Sequence, residues 1–160
     1  LRRYAVASVL RASPLNKALC ARRKWRISMV PKETKMRIAR PTDNLVKITE
    51  MYINGLGFKL LGSFEDHNGF DGSIIGHEQH NYHLEFTHHR GTTVGKAPTQ
   101  DNLLVFYFSD DSVWTQCCDQ MLSAGFKPVL SYNAYWDVVG KTFEDVDGYR
   151  VVLQNREWKT

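Results

Sequence analysis

Between Asn81 and Thr87 the chain alternates polar and apolar side chains. As a strand it sets Asn81, His83, Glu85 and Thr87 on one face and Tyr82, Leu84 and Phe86 on the other. The segments around it can be read in the same way. Met36 to Pro41 is a short strand ended by proline, with Thr42 or Asp43 as the N-cap of a helix. Leu45, Ile48, Tyr52 and Leu56 recur at helical spacing, and Gly55 and Gly57 supply the stop. Phe58 to Phe64 reads as a second strand, Asn68-Gly69 as a hairpin turn, Phe70 to Gly76 as a third strand and Tyr82 to Thr87 as the fourth.

Residues 88–101 hold His88, His89, Gly91, Gly95 and Pro98 without periodicity, so they read as a linker. The order then repeats. Leu103 to Phe108 is a strand, Ser109 or Asp110 a cap, and Val113, Cys117, Met121 and Leu122 mark a helix that stops at Gly125. Phe126 to Ser131, Val138 to Phe143 and Tyr149 to Asn155 are strands, the last two joined by the turn Asp145-Val146-Asp147-Gly148. Gly57-Phe58-Lys59 returns in register as Gly125-Phe126-Lys127, so a duplicated module is the economical reading.

Composition changes this picture mainly at the N-terminus. A hydrophobic content of 42% in 160 residues suffices for one core, or for two small packed modules. Residues 1–35 carry ten Lys or Arg against the single acid Glu33, whereas residues 36–160 carry eleven bases and sixteen acids. The leader is thus +9 and the remainder −5. An Arg-rich, acid-poor leader fits a transit peptide or a nucleic-acid arm. Because Leu1 stands first and Met29 and Met36 fall just before the first strand, we expect upstream sequence translated in frame or a remnant of expression, dispensable and poorly packed. Nothing after Met36 clusters Lys and Arg on one face, so nucleic acid is not an expected partner. No run approaches the about 18 apolar residues of a membrane span, and no apolar segment follows the basic start as in a signal peptide. Cys20, Cys117 and Cys118 make no disulfide framework and fit a reducing, cytoplasmic setting, with Cys117 and Cys118 as buried thiols of a helix.

Four stretches, Pro41 with the cap and helix behind it, Gly55-Leu56-Gly57-Phe58, His83-Leu84-Glu85-Phe86-Thr87 and Glu144-Asp145-Val146-Asp147-Gly148-Tyr149, resemble the glyoxalase I, bleomycin-resistance and dioxygenase group, the vicinal oxygen chelate superfamily. Val146 stands where proline is frequent in that turn. The resemblance implies an α+β fold of two paired βαβββ modules, about 36–90 and 102–158, whose curved mixed sheet surrounds a central cavity. It also implies a homodimer.

In members with a metal, each module lends two ligands, from its first and fourth strands. Carried over by position these are Arg37, Glu85, Leu103 and Val152, and only Glu85 can bind a cation. Leu103 and Val152 lack donor atoms, and a guanidinium stays protonated and repels a cation. No cofactor is therefore expected, with a divalent metal as the alternative. Arg37 and Glu85 are expected to pair where the ion would lie. His77, His80 and His83 offer a rival metal set, but in a loop entering a strand only His83 and Glu85 share a face.

The expected ligand-binding residues are Arg37, His83, Glu85, Tyr107, Tyr135, Trp136 and Arg150, with Ala39, Thr87, Leu103, Val105, Val152 and Gln154 as further inward positions. Tyr135 and Trp136 lie in a connecting segment that core periodicity does not explain, and suit stacking on a planar ligand. If there is catalysis, His83 and Glu85 are the acid-base candidates. The function expected is a metal-free small-molecule-binding protein that sequesters a cationic or aromatic compound. The alternative is a metal-dependent lyase, isomerase, dioxygenase or thiol transferase of the same superfamily.

Overall fold

A computed structural model describes residues 30–159. The leader expected over residues 1–35 falls almost wholly outside them. The unit that begins at Lys35 contains all the strands and helices treated below.

Its first half runs β1 (Met36–Pro41), α1 (Leu45–Leu56), β2 (Lys59–His67), β3 (Phe70–Gly76) and β4 (Tyr82–His89). Its second half runs β5 (Leu103–Tyr107), α2 (Asp111–Ser123), β6 (Lys127–Val129), one 3-10 turn (Ala134–Asp137), β7 (Gly140–Glu144) and β8 (Arg150–Gln154). Each half is a βαβββ module with a four-stranded mixed sheet, ordered β1-β4-β3-β2 in the first and β5-β8-β7-β6 in the second. The outer strand runs parallel to its neighbour in both, Arg37 beside His83 and Leu103 beside Arg150. This is the α+β architecture expected from the repeat.

Differences of detail have local causes. The cap of α1 is Asn44, whose side chain accepts from the Lys47 amide, and not Thr42 or Asp43. Thr42 is buried and its hydroxyl accepts from the Asn44 amide, while Asp43 turns away to accept from the amides of Val94 and Gly95, 2.9 Å each. Gly57 ends α1 in the left-handed conformation at φ 68°. Gly55 is not a stop but a close approach inside the helix, because a Cβ there would lie 2.9 Å from both Met121 Sδ and Phe126 Cε2. The sixth strand is only three residues long, and the segment after it leaves the sheet to form the 3-10 turn.

One core spans both modules. Ile48, Met51 and Tyr52 of α1 pack with Leu84 and Phe86 of β4, and Cys117, Cys118 and Met121 of α2 with Val151 and Leu153 of β8. The alternation read from the sequence is thus the division between core and opposite face. Cys117 and Cys118 are buried free thiols, and burial pushes Cys117 up to about 11.

A polar joint fastens the halves. Asp145, in the turn before β8, accepts at Oδ1 from the amides of Asp147 and Tyr149 and at Oδ2 from Tyr52 Oη (2.9 Å) and Arg40 Nη2 (3.3 Å). The Arg40 guanidinium lies 4.2 Å from the Tyr149 ring centroid. Among the described residues no helix is long and apolar enough to cross a membrane.

Candidate functional site

The parallel pairing of β1 with β4 puts Arg37 beside His83 and Ala39 beside Glu85, with all four side chains on the face away from α1. Arg37 bridges the other two. Its Nε donates to His83 Nε2 at 2.7 Å, and its Nη1 donates to Glu85 Oε2. The expected Arg37–Glu85 pair is therefore formed, and His83 and Glu85 meet through the guanidinium, with no hydrogen bond between them. Since a guanidinium can only donate, His83 Nε2 must be an acceptor and the ring proton must sit on Nδ1. Burial, Arg37 and Lys35 together hold the His83 pKa below its ordinary value, against a smaller opposing pull from Glu85.

Beside this cluster the third strand carries two glycines, over which Leu61 and Phe64 pack. Gly76 of β3 lies opposite His83 and Gly72 opposite Thr87 in the antiparallel register, so two positions flanking the polar residues carry no side chain. None of the four main cavities among the described residues is lined by Arg37, His83 or Glu85. The cluster stands on an open sheet face. One of those cavities, about 250 Å³, instead follows the apolar seam between β1 and β5, with Ile38, Leu84, Leu104 and Phe106 among its walls.

The other expected residues are held apart from the cluster. Arg150 is buried, with Nε on Glu144 Oε2 at 3.1 Å and Nη1 on the Leu130 carbonyl at 3.3 Å. Tyr107 packs on Trp158, ring centroids 5.2 Å apart, and Tyr135 meets Trp136 edge-on at 5.0 Å. Among the described residues no hydrogen bond or ring contact joins these groups to Arg37. Val152 is fully buried and Leu103 half-buried, so of the four positions carried over from metal-bearing proteins only Glu85 offers a donor atom, and its Oε2 accepts from Arg37. His77 stacks on His80 and His80 on Tyr82, away from His83, and no three His, Cys, Asp or Glu side chains gather as a metal site among the described residues.

Two residues that act on expected site residues, Lys35 on His83 and Trp158 on Tyr107, were not singled out in the sequence. Lys35 acts electrostatically on His83, and its spacing of two from Arg37 would have put it on the same face had the strand been extended backwards. Trp158 lies beyond the last strand, where no periodicity points to it.

Paired βαβββ modules with a polar face on the first and fourth strands define a protein of the vicinal oxygen chelate class. Glyoxalase I of Leishmania major shares the fold, with a TM-score of 0.59 at 17% identity over 74% of this chain and 84% of that one. Other glyoxalase, fosfomycin-resistance and bleomycin-resistance proteins share it at similarly low identity. Within that class the chain belongs to the YycE-like family. The YycE-like N-terminal domain matches residues 36–87 and the YycE-like C-terminal domain residues 101–155. The uncharacterized protein YycE of Bacillus subtilis (strain 168) is 41% identical over 120 residues, which cover 75% of this chain and 86% of the relative. A crystal structure of a YycE protein of unknown function from Bacillus subtilis, provisionally described as a glyoxalase/fosfomycin resistance protein, superposes with a TM-score of 0.74. It is 38% identical, covering 81% of this chain and 94% of that one.

Proposed function

We propose that this protein binds a small molecule on the open face of its first module and does so without a metal ion. The observation that carries the reading is Arg37, whose guanidinium bridges His83 and Glu85 and itself stands at one of the positions carried over from metal-bearing proteins. A cation there would face a fixed positive charge, with one carboxylate as its only donor among the four carried-over positions. The donor set does not fit the metal, and no cofactor is required. A ligand there would be sequestered rather than transformed; the cationic or aromatic compound expected from the sequence gains no support from Tyr135 and Trp136, which pack on each other apart from the cluster. His83 cannot take a proton at Nε2 while Arg37 donates to it, which disfavours general-base chemistry there.

Elemental analysis of the full chain, with thermal melts before and after chelation and after adding nickel, zinc, manganese or iron, tests the reading. The expected result is no stoichiometric ion and a melting temperature indifferent to chelator and metal. A stoichiometric ion whose removal lowers the melting temperature would overturn it, and would put a metal-dependent lyase, isomerase, dioxygenase or thiol transferase in its place.

A further inference from the structure

The charge at the site runs against the charge of the domain. Residues 36–160 are acidic overall, which predicts a cationic ligand. On the open face, however, the exposed partner of the ion pair is the cation. The Arg37 side chain is 48% exposed and that of Glu85 13%, so a molecule approaching from solvent meets the guanidinium first. With Nε given to His83 and Nη1 to Glu85, Arg37 Nη2 keeps both N–H groups without a partner among the described residues. The tautomer that Arg37 imposes leaves a second unpartnered donor, His83 Nδ1–H. Lys35 adds a further positive charge within electrostatic reach of His83. Arg37 and Glu85 balance in charge, Lys35 adds a positive influence, and the unpartnered hydrogen-bonding groups of the cluster are mostly donors.

Fixed donors around a guanidinium match an acceptor that carries negative charge and several oxygens. Glu85 and His83 also hold the guanidinium in place, so it need not lose side-chain freedom when a ligand arrives. Gly76, opposite His83, carries no side chain of its own, and the Leu61 side chain packs over it.

We infer that Arg37 and His83 form an oxyanion subsite on the open face of the first module, with the charge of Lys35 reinforcing it, and that the natural ligand presents an anionic oxygen group to it. The inference rests on the metal-free reading above. The anion takes Arg37 Nη2 and His83 Nδ1–H, and Glu85 stays on the far side of the guanidinium as its anchor. A cationic ligand is excluded from this point by the same charges.

The test is an NMR titration of the full chain, after metal analysis and chelation, observing the Arg37 Nε–H and the His83 ring. Benzoate and phenylphosphonate are the anionic probes, benzamidine the cationic probe and benzyl alcohol the neutral one. We expect saturable shifts at both residues with at least one anion. Arg37→Gln should weaken that binding by about tenfold, as loss of a charge-assisted contact does, and Lys35→Gln should weaken it by a smaller factor. Shifts with both anions assign the subsite to oxyanions in general, and shifts with one of them assign it to that group. Shifts at these residues with benzamidine alone, equal anion binding in Arg37→Gln with its fold intact by thermal melt, or no shift with either anion would overturn the inference. A metal-free protein that binds no anion refutes the subsite alone. Anion binding that requires an added metal refutes the metal-free reading with it.

Discussion

The two modules share a fold and differ in what covers the face of the sheet opposite the helices. In the first, Arg37, His83 and Glu85 stand on an open face. In the second, the segment between β6 and β7 folds back over the corresponding residues. Gln154 Nε2 donates to the Trp136 carbonyl at 2.7 Å, and Arg150 Nη1 donates to the Leu130 carbonyl. Arg150, Val152 and Gln154 are buried under this cover, while Val151 and Leu153 are buried in the core on the other side. Apolar Val152 suits a covered position, because burying it costs no hydrogen bonds, and a charged pair suits the open one, where water reaches it. The two repeats thus keep the same scaffold and differ in which one leaves charged side chains open to solvent.

This comparison requires that the two halves move as one body, and Asp145 is where that can be broken most severely. Asp145→Ala removes the acceptor for Tyr52, Arg40 and two amides, and strands the Arg40 guanidinium, whose side chain is only 11% exposed. We expect a loss of about 3–5 kcal/mol in denaturant unfolding, the cost of leaving one partner of a buried pair alone. A loss below about 1 kcal/mol, the range of an exposed pair, would mean that the joint does not fasten the modules.

The next effect separates the closed face from the open one. A Cβ at Gly140 would lie 2.1 Å from Gln154 Nε2 and 2.7 Å from the Trp136 carbonyl oxygen, a backbone atom that cannot swing aside. Gly140→Ala should cost about 1–3 kcal/mol, as overpacking does, and should open the segment over β8 to amide exchange. At Gly72 a Cβ meets only the far end of the Phe64 ring, which is half-buried and can turn outward. Gly72→Ala should cost less. Equal losses from the two substitutions in parallel melts would show that the first face is as tightly packed as the second.

The sequence carried most of this architecture because it lies in alternation and repetition. The strand Tyr82–His89 divides into core and open face as its polar and apolar residues do, and the two helices end near Gly57 and Gly125 as read. The Arg37–Glu85 pair was legible because two residues fix it, one on each of two neighbouring strands. Contacts made across loops were not. The closure of the second module depends on backbone carbonyls of Leu130 and Trp136, which any side chain could present, so no residue type announces it. Arg150 reads as an inward position by parity, yet its guanidinium is used by Glu144 and Leu130 under that cover. Tyr52, placed in the core by its helical spacing, has a hydroxyl whose partners lie 12 and 93 residues away, and period alone does not reveal them.

The smallest effect is the most specific to the open face. Arg37→Met should change stability by about 1 kcal/mol, since Arg37 is half-exposed and Glu85, at 13% exposure, still reaches water on the same face once the guanidinium is gone. Its signature is the titration of His83. In the folded protein this ring titrates below the ordinary 6.5, first through burial and then through the charges of Arg37 and Lys35. At pH values between the folded and unfolded pKa the unfolded chain therefore binds more protons, so stability rises with pH through that window. Above about 6.5 both states hold the ring neutral and the contribution is constant. As pH falls below that value the unfolded chain is favoured, until the folded ring is protonated too and the Arg37 Nε contact is lost. Removal of Arg37 should move the NMR midpoint of His83 upward and narrow the window. A midpoint at or above 6.5 in the unmodified protein would mean that Glu85 governs the ring and that the guanidinium does not bridge the two, and the open face would then have to be read as an acid-base pair.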